Sequence, residues 1–471
     1  MSNTDPNKLF VTDGSNSSTY GDLNRFAAAL QHRLSDPPPM ILVPGLPETG
    51  IILTIASCYL LDLPVLVFRP DQIEAALTYA PEGSLFIKPD SISESTQIPG
   101  GHLPSLNPDK LDLKADPKIK TGNFDFNKPV LTLFTSGTTG EPKPVHITRR
   151  QLSAAVSNSA DNFRPAPGEL WLLCLPLNHM GGLGVIYRSL AFGSGIYLSG
   201  GFDVGSCAGI IEQNHEVCYI SLVPTQLKRL LPFINPENHN LKAALIGGGP
   251  ISGKLLQQAW QMNVPAIGSY GMTETCGQIA AQPLKNRQQF PAHSAGRIFS
   301  GNRIEIRDFE NSRPLSAGKT GVIFLHGNQI PEPKLNPHLA SRFDDKGWFA
   351  TSDIGKVDSE GNIFIEGRRD DVILTGGENV IPLQVEQALS TLESTGEATV
   401  VGMPDEEWGQ RVVAVITGRE PGSEEIDRLL RPILPSYALP KEWIRVDELP
   451  RNEMGKVDRR RVRQIINQKM T

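Results

Sequence analysis

The chain is poor in the features that would place it outside the cell, in a membrane or on nucleic acid. Cysteine is scarce: Cys58, Cys174, Cys207, Cys218 and Cys276 form no Cys-x-x-Cys pair. Their odd count fits a reducing compartment, and their spacing suggests no zinc site. Long apolar runs are missing too. The most apolar region, residues 51–68, is broken by Asp62 and Pro64 and falls short of a clean membrane span. It reads as a buried helix followed by a strand. Residues 1–7 have neither a basic n-region nor an apolar core, so no signal peptide is read. The cytoplasm is therefore the default location. Positive charge is not in excess: a net charge of -6 and a pI near 5.9 argue against broad nucleic-acid binding. Arg459-Arg460-Arg461 is the one basic cluster, and it reads as the solvated face of a terminal helix.

What is present is ordinary globular composition, 39% hydrophobic and 20% charged over 471 residues. That length exceeds one hydrophobic core, so two or three structural units are expected. Leu9 to Leu34 reads as a short strand and a helix, and Met40 to Val43 as a strand followed by a helix from about Thr49 to Leu61. Residues 90–128 are rich in Ser, Pro, Asp, Lys and Asn and read as a connector. Strand and helix then alternate from Trp171 to Met262, the pattern of mostly parallel sheets covered by helices. From Ser294 to Ile365 short strands and Gly-rich turns mark a β-rich subdomain. Past Arg368 a separate unit with mixed strands and helices begins. No internal repeat is apparent.

The chemistry concentrates in a few strings. Pro129 to Phe134 is an apolar strand that runs into Thr135-Ser136-Gly137-Thr138-Thr139-Gly140-Glu141-Pro142-Lys143 before a helical pattern opens near Thr148. Glycines let backbone N–H groups close on an anion, hydroxyls add donors and lysine adds a mobile charge, so this is a phosphate grip. The Walker A spacing is absent. A lone Gly-x-x-Gly would more often be a plain loop. Leu175 to Gly182 follows a strand and carries His179, a residue that in isolation is more often a satisfied core histidine. Arg188 sits in an otherwise apolar helix, where an unpartnered guanidinium is costly; it pairs either with a structural carboxylate or with a substrate carboxylate. Gly247-Gly248-Gly249 end a strand at Ala244 to Ile246, where backbone can approach a flat ligand.

The grip and the later strings Ser269 to Thr275, Trp348 to Asp353, Gly367 to Asp371 and Pro450 to Lys456 together resemble the adenylate-forming superfamily. Its members include acyl-CoA and aryl-CoA ligases, luciferases and the adenylation domains of peptide synthetases. The resemblance spans nearly the whole chain and is strongest from residue 131 to 456. It implies an α/β fold: a large N-terminal adenylation domain of stacked, mostly parallel sheets plus the β-rich subdomain over 1–367, and a small hinged α+β domain over 368–471. It further implies that Thr135, Ser136, Gly137, Thr138, Thr139, Gly140 and Lys143 hold phosphates, and that Gly247, Gly248, Gly249, Tyr270, Gly271 and Met272 form the nucleotide site. Thr273 would meet the α-phosphate, Glu274 would hold Mg²⁺, Asp353 and Arg368 would bind the ribose, and Asp370 would be the hinge. Lys456 would be the charge delivered to the reacting carboxylate. Two departures stand out: Pro144 and Ser352 occupy positions where the family has glycine.

Within the superfamily the string Ser269 to Cys276 with Gln278, the compact length, and the segment from His179 to Arg188 look most like the o-succinylbenzoate–CoA ligases of menaquinone biosynthesis. That likeness implies ATP, Mg²⁺ and coenzyme A, and an acid pocket with His179, Arg188, Ser221 and Gln278. Asn178 and Gly181 depart from the aromatic residue and serine expected there. Another aryl- or acyl-CoA ligase, or a stand-alone enzyme loading a carrier protein, remains an alternative. The expected partners are small molecules, a carboxylic acid, ATP and coenzyme A, with room for a homo-oligomer and no nucleic acid or membrane span.

Overall fold

The computed structural model describes residues 4–34, 36–92, 104–111, 113, 119, 124–136, 142–160, 162–451 and 457–470. The chain divides into two compact units, Met1–Arg303 with His326–Phe349, and Ile304–Leu325 with Ala350–Thr471.

The first unit is built on two sheets. The larger has nine strands, in the spatial order Arg297–Ile298, Gly277–Ala281, Ala266–Met272, Ala243–Ile246, Val217–Leu222, Leu170–Leu173, Gly195–Leu198, Leu9–Thr12, Ser17–Thr19. Its inner strands pair in parallel, and antiparallel strands close both margins. The second sheet runs Ser105–Leu106, Leu85–Ile87, Ile41–Pro44, Val65–Phe68, Pro129–Ser136, Pro142–Thr148, parallel except for its last pair.

Helices on both faces explain why strands such as Leu170–Leu173 are apolar throughout rather than alternating. One core joins Ile41, Val43, Val65, Val67, Leu131 and Leu133 of the smaller sheet to Val11, Trp171, Leu173 and Ile196 of the larger. Helices Tyr20–Arg33, Thr49–Leu60, Arg149–Ser159 and Met180–Phe192 fill the space with Phe26, Ile52, Leu152 and Leu183 among others. A second core lies under helices Val204–Gln213, Pro224–Leu230 and Gly253–Gln261. Mostly parallel stacked sheets with helices are as the sequence led us to expect. Residues 51–68 form a buried helix and a buried strand.

Two local expectations need correction. The connector over 90–128 supplies an edge strand, Ser105–Leu106, and a short 3-10 helix, Pro108–Lys110. The exit of the phosphate grip is not a loop leading straight to the helix but the strand Pro142–Thr148, antiparallel to Pro129–Ser136. Val145 and Ile147 point into the core and alternate with half-buried Pro144 and His146, a period of two that the prolines disguise. Pro144 is tolerated because this is an edge strand, where a missing N–H need not break a ladder. Thr148 then caps helix Arg149–Ser159 in a capping box with Gln151.

The second unit carries a sheet in the order Asn302–Arg307, Gly321–Gly327, Phe349–Val357, Ile363–Arg368. A further sheet runs Glu378–Val380, Ile373–Thr375, Gly409–Ile416, Ala398–Asp405, with Glu442–Arg445 parallel to Gly409–Ile416. The last helix, Arg459–Met470, packs Val462 and Ile466 against this sheet. Its basic start is only partly a solvated face. Arg460 and Arg461 are exposed, but Arg459 bonds both oxygens of Glu386 at 2.7 and 2.9 Å and pairs with Asp371 at 3.4 Å. Tertiary pairing thus turns one member of the run inward.

The free side of the grip's edge strand is covered by a side chain. Asn336, fully buried, accepts from the His146 N–H at 2.8 Å and donates to the His146 carbonyl at 3.1 Å, replacing the neighbour strand that an edge lacks. Asn336→Ala leaves both groups unmatched and should cost about 1–3 kcal/mol. A shift of the urea unfolding midpoint checks it, and an unchanged midpoint would contradict the clamp.

Candidate active site

The grip hairpin brings Thr135 and Lys143 opposite each other, with the Thr135 hydroxyl donating to the Lys143 carbonyl at 3.3 Å. Ser136 is in register with Pro142. Gly137, Thr138, Thr139 and Gly140 lie outside the described residues, as does Lys456. The strand Pro142–Thr148 packs against the 3-10 turn Thr273–Thr275, which carries Thr273 and Glu274. Helix Arg149–Ser159 sends Gln151 to the Gln329 carbonyl at 3.3 Å and the Glu274 carbonyl at 3.5 Å.

Lys143 and Glu274 act on a shared neighbour, His338. Burial chiefly, and then Lys143 and Arg342, hold its imidazole below the usual histidine range, while Glu274 pulls the other way. Arg342 Nη1 is 4.0 Å from Glu274 Oε1. The strand end, the turn and the segment with His338 and Arg342 therefore form one charged neighbourhood. The Glu274 carboxylate is about one-sixth exposed. Among the described residues no group of three or more His, Cys, Asp or Glu could hold a metal. A single carboxylate such as Glu274 is compatible with Mg²⁺, which commonly binds through one or two carboxylates plus substrate oxygens.

The hairpin of Ala266–Met272 and Gly277–Ala281 places Tyr270, Gly271, Met272 and Gln278 together, with Gly271 opposite Gln278. A Cβ on Gly271 would lie 2.0 Å from the Gly277 carbonyl oxygen, so only glycine fits. Thr275 ties the turn by accepting from the Met272 N–H at 3.1 Å and donating to the Gly277 carbonyl at 2.7 Å. Gln329 donates to the carbonyls of Thr275 and Gln278 at 3.1 and 2.9 Å. Gly247, at the end of its strand, abuts Ser269, the residue before Tyr270. Gly247 thus adjoins the tyrosine turn, while a Cβ on Gly249 would meet Pro224 at 3.8 Å.

Three of the four expected acid residues converge. Arg188, on helix Met180–Phe192, is buried. Its Nε donates to the Ser159 hydroxyl and its Nη2 to Gln278 Oε1, both at 3.2 Å. Its guanidinium carbon lies 5.1 Å from the centre of the Trp171 ring. Among the described residues no carboxylate pairs with it. Burial pushes its pKa down to about 10, which still leaves it cationic at neutral pH. Gln278 is also buried, and among the described residues its Nε2 has no partner. The Ser221 hydroxyl accepts from the Trp171 indole at 3.1 Å and so reaches Arg188 through that ring. His179 stands at the N-terminus of the same helix.

In the second unit Asp353 and Arg368 face each other across paired strands, 3.5 Å apart. Arg368 is also 3.5 Å from Asp370. Burial opposes the arginine's charge, but Asp353, Asp370 and Asp371 outweigh it and raise its pKa. The Asp353 N–H donates to the Thr351 hydroxyl at 3.1 Å.

Sequence reasoning missed Trp171, Ser159, Gln329, Asn336, His338 and Arg342. Only the cost of burying Arg188 gave a signal, since it demanded neighbours without naming them. The others act across separations such as the 190 residues between His146 and Asn336, which no local pattern records.

The AMP-binding enzyme family matches residues 64–332, and the AMP-binding enzyme C-terminal domain matches residues 384–456. The chain belongs to the AMP-binding enzyme family. Its relatives include the 2-succinylbenzoate–CoA ligase of Bacillus pumilus (strain SAFR-032), 32% identical over 88% of this chain and 85% of that protein. Among solved structures, o-succinylbenzoate CoA synthetase of Bacillus subtilis bound to the acyl-adenylate intermediate OSB-AMP superimposes with a TM-score of 0.81, at 26% identity over 97% of this chain and 95% of that one. The same enzyme with ATP and a magnesium ion gives a TM-score of 0.83, at 25% identity over 97% of each chain.

An uncompensated buried cation should weaken the protein that carries it. Arg188→Met is expected to raise stability by about 1 kcal/mol, because burying a charge without an anion costs more than burying a thioether. Calorimetry of the free protein checks this; a clear loss of stability would mean that the guanidinium serves the fold.

Proposed function

We propose that this chain is an ATP-dependent ligase that joins o-succinylbenzoate to coenzyme A through an acyl-adenylate. The observation that carries the reading is Arg188, buried beside Gln278, whose Oε1 accepts from it while its Nε2, among the described residues, has no partner and no carboxylate pairs with the arginine. An acid with two carboxylates needs one to react and one to be anchored, and a guanidinium fork suits the second.

In the first half-reaction the free carboxylate attacks the α-phosphorus of ATP and pyrophosphate leaves. Both partners are anionic, so the site must cancel repulsion. Lys143 and the grip hydroxyls hold the outer phosphates, Thr273 the α-phosphate, and Lys456 the reacting carboxylate. Mg²⁺ on Glu274 would supply charge neutralisation on the phosphates. Gly247 to Gly249 and Tyr270 take the adenine, and Asp353 with Arg368 the ribose hydroxyls. In the second half-reaction the coenzyme A thiol displaces AMP from the acyl carbon. We assign residues 1–367 to the adenylation domain and 368–471 to a small domain that turns about Asp370, withdrawing Lys456 between the two steps. Five buried free thiols, and no described helix long and apolar enough to cross a membrane, support a reaction in the reducing cytoplasm.

A panel of acids assayed for pyrophosphate release tests the reading. Preference for the dicarboxylate is expected, and preference for benzoate or a fatty acid would sink it. Pyrophosphate exchange with little coenzyme A turnover would point to carrier loading instead. Arg188→Ala should raise the acid KM roughly 100-fold, the scale of a lost buried charge contact, with little change in the KM for ATP. Lys456→Ala should cripple adenylation and spare thioester formation from supplied adenylate. Equal loss in both half-reactions would contradict its role.

A further inference from the structure

We infer that Trp171 is a positioning residue that aims Arg188 at the distal carboxylate of the substrate, and so helps set the preference for a diacid. The inference rests on the dicarboxylate reading above. Trp171 is fully buried on the strand Leu170–Leu173 and has little freedom. Its indole N–H is committed to the Ser221 hydroxyl at 3.1 Å. Tyr219 stacks with it, centroids 5.1 Å apart and planes 23° from parallel, and Phe163 leans on it at 5.8 Å.

Arg188 by contrast hydrogen-bonds, among the described residues, only to neutral acceptors, Ser159 and Gln278, each at 3.2 Å. Among the described residues its Nη1 makes no hydrogen bond. Its head folds back over its own helix: a Cβ on Gly184 would lie 2.9 Å from Nη1. The ring of Trp171 is the rigid surface in this arrangement. A guanidinium carbon 5.1 Å from the ring centre is within the range where the aromatic quadrupole attracts a cation. That attraction orients the charge without neutralising it. A protein carboxylate in the same place would hold Arg188 equally well but would compete with the substrate for its donors.

The test uses the full-length enzyme with o-succinylbenzoate and with the matched acid in which the distal carboxylate is replaced by hydrogen. Trp171→Leu is expected to raise the KM for the diacid about tenfold, a change on the scale of one lost cation–ring contact. Its kcat, the KM for ATP and the KM for the monoacid should stay within about twofold of wild type. Trp171→Phe keeps a ring and should recover about half of the loss on a logarithmic scale. If Trp171→Leu misfolds, Trp171→Phe and Ser221→Ala, which releases the indole N–H, carry the test with rises of about threefold. The inference is overturned if the diacid KM is unchanged, or if both acids suffer alike, as for a residue that merely supports the sheet. If the wild type itself does not favour the diacid, the function reading fails first and this inference falls with it.

Discussion

A buried cation that has no anion beside it among the described residues is the constraint around which the pocket is arranged. Arg188 has given up water, and the groups around it return only partial compensation: a hydroxyl, an amide oxygen and the face of an indole. A fold selected for stability alone would fill this position with a hydrocarbon. Holding the charge in reserve makes sense when an anionic ligand completes the site. The unpartnered Nε2 of Gln278 points to the same conclusion, because a buried donor left open costs free energy until something accepts from it. Two unmet demands of the same sign, side by side, describe the ligand that would meet them.

The turns around the nucleotide motifs show a complementary economy. Around the grip's edge strand and the Thr273–Thr275 turn the ties are neutral side-chain amides, whereas an ion pair joins the strands that carry Asp353 and Arg368. Gln151, Gln329, Gln282 and Asn336 each span backbone groups that no sheet or helix satisfies. An amide both donates and accepts, so one side chain can close two loose ends. It also adds no net charge next to Lys143 and Glu274, where added charge would disturb the handling of an anionic substrate. Rigidity and electrostatics are thus supplied by different residues.

Much of the fold was legible because the parallel sheet writes itself plainly. Ala244 to Ile246 reads as an apolar run ending at three glycines, and the strand in the structure, Ala243–Ile246, stops at the same glycines. Pro142–Thr148 was not legible. Two prolines and a histidine hide its alternation, and its strand character comes from pairing with Pro129–Ser136. Ser105–Leu106 is likewise a strand only because Phe86 and Ile87 lie beside it. Arg459 looked like its solvated neighbours until Glu386, 73 residues earlier in the chain, proved to be its partner.

By itself the sequence determined the class of chemistry, since glycine, hydroxyl and lysine at fixed spacing, and a carboxylate in a tight turn, are local requirements that must appear as local strings. It also determined that Arg188 needed an explanation. Only the tertiary structure decided what surrounds that arginine. Trp171, Ser159, Ser221 and Gln278 come from four separate segments, and the contacts among them depend on strand order and helix packing, which are set by burial over the whole unit rather than by any one stretch of chain.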